Sequence, residues 1–181
     1  MNIGRLFVIL IVVAALLTGG AIYYLQVYAF YDEIAPRGAS DVVLTPLGAE
    51  EPEPIAHDDF RAIDADSSPI RYRACFTTEM GTPDLAAYEP YPDADPLVAP
   101  SWFDCFDAAE VGAALEDGSA RSYLSVAEVH YGIDRVVAVF DDGRGVAWNQ
   151  INACGEVVFD GNPAPEGCPP APEGYDPAFK P

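Results

Sequence analysis

From Leu6 to Tyr31 no charged residue interrupts the run "LFVILIVVAALLTGGAIYYLQVYAFY". A helix needs about 20 such residues to cross a hydrocarbon core about 30 Å thick, so the run predicts a transmembrane helix over residues 6–31 with a short N-terminal flank at 1–5. A cleaved signal peptide competes with this reading, because Gly19, Gly20 and Ala21 are small residues following a short apolar stretch. The apolar character nevertheless continues through Ile22, Leu25 and Val27. Tyr23, Tyr24, Tyr28 and Tyr31 suit an aromatic belt at the outer interface, and together these features favour an uncleaved anchor.

Charge orients the span. Arg5 lies on one side, whereas Asp32 and Glu33 open the other flank, and the positive-inside rule then puts the N-terminus in the cytoplasm. Everything after residue 31 is expected outside the cytoplasmic membrane, as a periplasmic domain on a bacterial inner membrane. Cys75, Cys105, Cys154 and Cys168 all fall in that exported part, and none sits in a C-x-x-C arrangement. Four cysteines allow three connectivities; Cys75 with Cys105 and Cys154 with Cys168 is favoured because each closes the shorter loop. Reduced, buried cysteines are the competing reading, which an oxidising compartment disfavours.

Composition removes several function classes. With 9 basic against 29 acidic residues and a formal net charge of −20, the chain has no basic stripe with which to neutralise phosphates, so nucleic acid is not an expected partner. Docking on anionic headgroups is disfavoured for the same reason. Solubility of an exported domain accounts for most of the acidity.

Residues 32–58 combine acids with Pro36, Pro46, Pro52 and Pro54, which reads as a stalk, with "DVVLTPL" as a short edge strand limited by Pro46. Residues 163–181 are proline-rich and are expected to be extended, tied down only at Cys168. Between them, residues 59–162 form an expected α+β domain with an antiparallel sheet of about four strands and two short helices. The alternation of Ile70, Tyr72, Ala74 and Phe76 with Arg71, Arg73, Cys75 and Thr77 predicts a strand with two different faces. Asp107 caps an expected helix that Gly118 ends, with Val111, Ala114 and Leu115 as its apolar stripe. A second helix is expected from Ser119 to about Glu128, burying Tyr123, Leu124 and Ala127. "RVVAVFDDGRGVAWNQI" reads as a hairpin, and "ACG" is expected to turn the chain into a third strand, "EVVFD". Trp102, Phe103 and Phe106 should anchor the intervening loop to the core.

Motifs for chemistry are sparse. Asp64, Asp66 and Ser68 are spaced like the start of a calcium loop, but Pro69 replaces the required glycine and Cys75 the required glutamate. His57 and His130 are the only histidines and lie far apart in sequence, so neither a metal nor any other cofactor is expected. There is no G-x-S-x-G elbow, no S-x-x-K and no phosphate-binding glycine loop. Carboxylate pairs such as Asp141 and Asp142 carry little information in so acidic a chain. No catalytic residue is therefore named.

The arginines of "PIRYRACFTT" are the remaining candidates. A guanidinium fork binds a carboxylate or phosphate bidentately, so Arg71 and Arg73, with Arg135 and an aromatic such as Trp148, are candidate ligand-binding residues. The competing expectation is that they pair with the protein's own acids, such as Asp64, Asp66, Asp104 or Asp107.

Taken together, "YYLQVYAFY", "PIRYRACF", "WFDCFDA", "YGIDRVVAVFDDGRG" and "NACGE" resemble a family of short, N-terminally anchored alphaproteobacterial proteins of unknown function. The resemblance implies a single-pass exported architecture and lends no activity. The expected function is that of a membrane-anchored periplasmic binding protein, an accessory or assembly factor whose partner is a membrane or periplasmic protein. The alternative is an anionic-ligand receptor or enzyme built around Arg71 and Arg73.

Overall fold

The computed structural model describes residues 3–173 and 175. Met1 and Asn2 of the expected cytoplasmic flank, and residues 174 and 176–181 of the expected tail, lie outside the described residues. The chain begins with helix α1 (Ile3–Tyr24), which continues as a π-helical turn over Leu25–Ala29. The helix is long and apolar enough to cross a membrane, and none of it is buried against the rest of the chain.

The elements that follow are β1 (Asp32–Ile34), β2 (Val43–Leu44), β3 (Glu53–Pro54), β4 (Asp58–Asp64), β5 (Arg73–Thr77), α2 (Thr82–Leu85), α3 (Ala108–Asp117), β6 (Ala120–His130), β7 (Ile133–Phe140), β8 (Arg144–Ile151) and α4 (Ala153–Phe159). Six strands form one sheet in the order β1-β4-β5-β8-β7-β6, and every neighbouring pair is antiparallel. Strands β2 and β3 make a separate two-stranded ribbon.

The α3 signals act as the sequence implies. Asp107 accepts from the amides of Ala109 and Glu110, Val111 and Ala114 are buried, and Gly118 closes the helix at φ 83°. The sheet has six strands where about four were expected, and two of the differences are exchanges of helix for strand. Residues 119–128, expected as a helix, belong largely to β6. Two register shifts against β7, at Leu124/Val126 and Val126/His130, break the period-2 burial, and the spacing that remains imitates a helical stripe. "EVVFD", expected as a strand, lies largely in α4, because Asn152 accepts from the Gly155 amide and caps a helix there. Gly155 also lets α4 lie directly on Gly132, whose carbonyl would meet any Cβ at that position.

The expected stalk carries three strands of its own. β1 pairs with β4, and Val42, Leu44 and Ile55 are buried in the core. Thr45 donates from its amide to the Leu124 carbonyl and from its hydroxyl to that of Ser125, so this segment covers the edge of β6. A few apolar side chains scattered among prolines leave no periodic trace, yet they suffice to cover one face. The tail is held at more places than Cys168: Tyr131 donates to the Pro169 carbonyl, and its ring meets that of Tyr175.

The sheet is buried on both faces. Tyr72, Ala74, Phe76, Val137, Val139 and Ala147 face a cluster completed by Val42, Leu44, Ile55, Leu85 and Tyr88. Cys75, Val136, Ala138, Val146 and Trp148 face the other way, under Phe103, Phe106, Val111 and Ala114. Strands covered on both sides read as continuous apolar runs, as "VVAVF" does. The disulfide Cys75–Cys105 ties the loop before α3 to β5, and Cys154–Cys168 ties the tail to α4.

Gly145 sits directly across from Phe76, whose ring occupies the space a Cβ would need. Gly145→Ala is therefore expected to destabilise the domain by about 1–3 kcal/mol through overpacking. In urea unfolding, Phe76→Ala in the same background should make the double substitution cost less than the sum of the two singles. Strict additivity would mean that the ring and the glycine do not share this space.

Candidate functional site

Arg73 lies in β5, paired with Trp148 of β8 on one side and Ile63 of β4 on the other, and it is only 3% exposed. Its Nε donates to the Leu97 carbonyl (2.8 Å), Nη1 to those of Ile70 (2.8 Å) and Tyr72 (2.7 Å), and Nη2 to that of Val98 (3.2 Å). The guanidinium also lies over the Phe106 ring, 5.6 Å from its centroid. Burial pulls its pKa down to about 10, which still leaves it charged near neutrality. Neither expectation for this residue describes it. Arg73 is bound by main-chain carbonyls, not by an acid, and its fork has no free side to offer a ligand.

Arg71 is half-buried, and its guanidinium lies 5.4 Å from the centroid of Tyr31. Tyr31 in turn meets Trp102 edge to face, Tyr28 stacks on Trp102, and the indole Nε1 of Trp102 donates to the Val27 carbonyl (2.6 Å). The π-helical turn supplies that carbonyl, since residues near a helix end have acceptors without an intrahelical partner. Beyond anchoring its loop to the core, as expected, Trp102 also grips the end of the apolar helix.

Arg135 stacks on Tyr72 at 3.6 Å and donates from Nε to Asn149. Tyr72 and Tyr31 pack on opposite faces of the sheet, so Arg71 and Arg135 are not brought to one site. Trp148 is fully buried, with Nε1 donating to Gln150 (2.9 Å). The four residues singled out in the sequence thus occupy separate environments and line no common cavity.

The largest cleft among the described residues, about 770 Å³, lies elsewhere, between the Pro92–Leu97 loop and the start of α4. Its walls carry Asp93, Asp95, Asp134 and Glu156, with Ile70, Leu97 and Ile151 as apolar lining. Gln150 fixes one wall: its Nε2 donates to the Asp93 carbonyl, and its Oε1 accepts from the Asp95 amide, both at 2.9 Å. The other end is fixed by Asp134, which is 8% exposed. One of its oxygens accepts from the Tyr91 hydroxyl (3.1 Å), and the other accepts from the Glu128 amide and Asn152 Nδ2 (2.9 Å each). Glu128 accepts from the same Asn152 amide group (2.7 Å) and from the Gly132 amide (2.8 Å). Those bonds hold Glu128 at φ 50°, in the left-handed region.

The Tyr91 phenol is pushed well above its ordinary range, first by burial and then by the negative charge of Asp134. It therefore acts as a fixed donor. This network and its cleft left no mark in the sequence, because single acids in a chain with 29 of them cannot be told apart. The "YGIDR" turn, with its glycine, was the nearest signal.

Among known families, one described as a family of unknown function, DUF6446, matches residues 42–169. The match begins at the β2–β3 ribbon and ends one residue after Cys168, so it takes in both disulfides and the cleft and leaves out α1. No curated protein and no solved structure matches the chain.

Removing the Arg73 fork strands carbonyls on both the approach to β5 and the Leu97–Val98 loop. Arg73→Ala is expected to cost about 2–4 kcal/mol in urea unfolding of the full-length protein, given the strength of hydrogen bonds to a charged donor. A loss within experimental error would show that solvent replaces the fork. Tyr91 predicts a pH effect of definite sign. Its folded pKa lies above the unfolded value of about 10, so the folded chain keeps a proton that the unfolded chain releases. Its contribution is complete below about pH 10 and is lost as pH rises from there. Melting midpoints between pH 8 and 11 should fall less steeply at the alkaline end in Tyr91→Phe than in wild type; parallel curves would remove Tyr91 as a cause.

Proposed function

The chain belongs to the DUF6446 family, which lends it no activity, and on its geometry we propose that it is a membrane-anchored periplasmic binding protein, a non-enzymatic accessory or assembly factor for a membrane or envelope complex. The observation that carries this reading is the rigid acidic cleft on a domain gripped to the end of a membrane-length helix. Both walls of the cleft are hydrogen-bonded into the fold before any partner arrives, a preorganisation that lowers the ordering cost of binding. Asp93, Asp95 and Glu156 are exposed at its edge above apolar lining. The complementary occupant is a basic segment with apolar residues, presented by a membrane or periplasmic protein.

The cellular placement belongs to the same proposal. Arg5 against Asp32 and Glu33 favours a cytoplasmic N-terminus and a periplasmic domain on a bacterial inner membrane. Two disulfides suit the oxidising side of that membrane. The single-pass alphaproteobacterial placement rests on the wording of the sequence motifs. A receptor or enzyme around Arg71 and Arg73 draws no support from the geometry, since Arg73 is occupied by carbonyls and Arg71 by an aromatic clamp.

The test is affinity purification of the full-length protein from its native membrane in detergent, wild type beside Asp93→Lys/Asp95→Lys. Gln150 holds these residues by main-chain atoms, so the substitutions should spare the fold. A partner kept by wild type, weakened by added salt and lost from the double variant is the expected outcome. A partner that ignores both changes would remove the cleft from the reading, and no partner in either would overturn it.

A further inference from the structure

We propose that the Leu97–Trp102 loop is a membrane-seating surface: together with Tyr28 and Phe30 it rests in the headgroup layer of a zwitterionic bilayer and fixes the domain against the membrane. This rests on the reading of α1 as an uncleaved span. Counting about 20 residues of hydrocarbon from Leu6, the first residue after Arg5, ends the apolar core near Leu25. The Val27 carbonyl is then about 3 Å further out, at the rise of a helical residue. That carbonyl is bonded by Trp102 Nε1 at 2.6 Å, so the indole stands at interfacial depth, where an amphipathic ring is favoured.

The loop does not hang free at that depth. Arg73, buried in the sheet, holds the carbonyls of Leu97 and Val98, and this turns the loop's backbone toward the domain. The Val98 side chain is left 80% exposed, the most exposed of the large apolar side chains among the described residues. Four residues separate it from Trp102, so it lies within about 14 Å of the indole along even a fully extended chain. Tyr28 and Phe30, 42% and 43% exposed, continue the same apolar collar on the helix end. A rigid apolar loop beside the mouth of a span has one continuous apolar surface to join, the bilayer that the span already occupies. The net charge of −20 selects zwitterionic over anionic headgroups.

The test uses the full-length protein in phosphatidylcholine nanodiscs with a nitroxide on a single added cysteine, either Val98→Cys or Leu16→Cys. Collisions with oxygen, which concentrates in lipid, are compared with collisions with a water-soluble nickel chelate. Both labels are expected to favour oxygen, Leu16 more strongly. If Leu16 favours oxygen while Val98 favours the nickel chelate, the anchor stands and the seating of the loop is overturned. If Leu16 favours the nickel chelate, both fall. If Val98 becomes shielded only when native membrane extract is added, the loop is a protein-docking surface and the lipid proposal is overturned.

Discussion

The buried fork of Arg73 is the joint on which the arrangement depends. A guanidinium taken out of water needs its donors occupied, and here carbonyls from Ile70, Tyr72, Leu97 and Val98 occupy them. Two of those carbonyls belong to the approach to β5, and the other two to a loop 24 and 25 residues further along the chain. The loop therefore has its position set from inside the sheet. The Cys75–Cys105 bridge lies two residues along the same strand face and fixes the loop's far end. Between the two attachments stands Trp102, and through it the end of α1. A single buried charge thus connects the core of the domain to the apolar helix and to one wall of the cleft.

This joint explains which parts of the molecule could be read from the sequence. Where one local rule acts alone, reading succeeds: the Asp107 cap, the Gly118 stop, the hairpin around Asp141–Gly145 and the apolar N-terminal helix follow from composition within a few residues. The face shared by Arg73 and Cys75 was legible too, since strand alternation requires it. The role of Arg73 was not, because its partners are carbonyls, and carbonyls have no sequence identity. β6 imitates a helix because its bulges displace the burial phase, and α4 imitates a strand because Val157 and Val158 look like strand residues until the Asn152 cap is counted. Prolines and acids give residues 32–58 the composition of a stalk, whereas packing needed only Val42, Leu44 and Ile55. The cleft was illegible for the opposite reason: acids are everywhere in the sequence, and only the fold selects Asp134 and Glu128 for its network.

The distribution of charge follows from the same scarcity of cations. Among the described residues the ion pairs are Arg61–Asp104, Arg121–Asp141, Arg144–Glu110 and Arg144–Asp142, all with side chains about half exposed or more. Pairs of that kind contribute roughly 0–1 kcal/mol each, so they do not hold the fold. Asp134 and Glu128 are satisfied by amides and a phenol, with no cation among these hydrogen-bond partners. Cohesion instead comes from a sheet covered on both faces and from two disulfides.

Had Arg73 been neutralised by one of the acids, a scarce cation would have answered the chain's own charge and an acid would have been drawn into the interior. Bound by neutral carbonyls, it adds positive charge to the core while leaving the exposed carboxylates of the cleft edge unopposed. The field at Asp93, Asp95 and Glu156 then faces outward, where only a molecule from outside can answer it. The interior chemistry of β5 and the outward charge of the cleft are two consequences of the same choice of partner for one guanidinium.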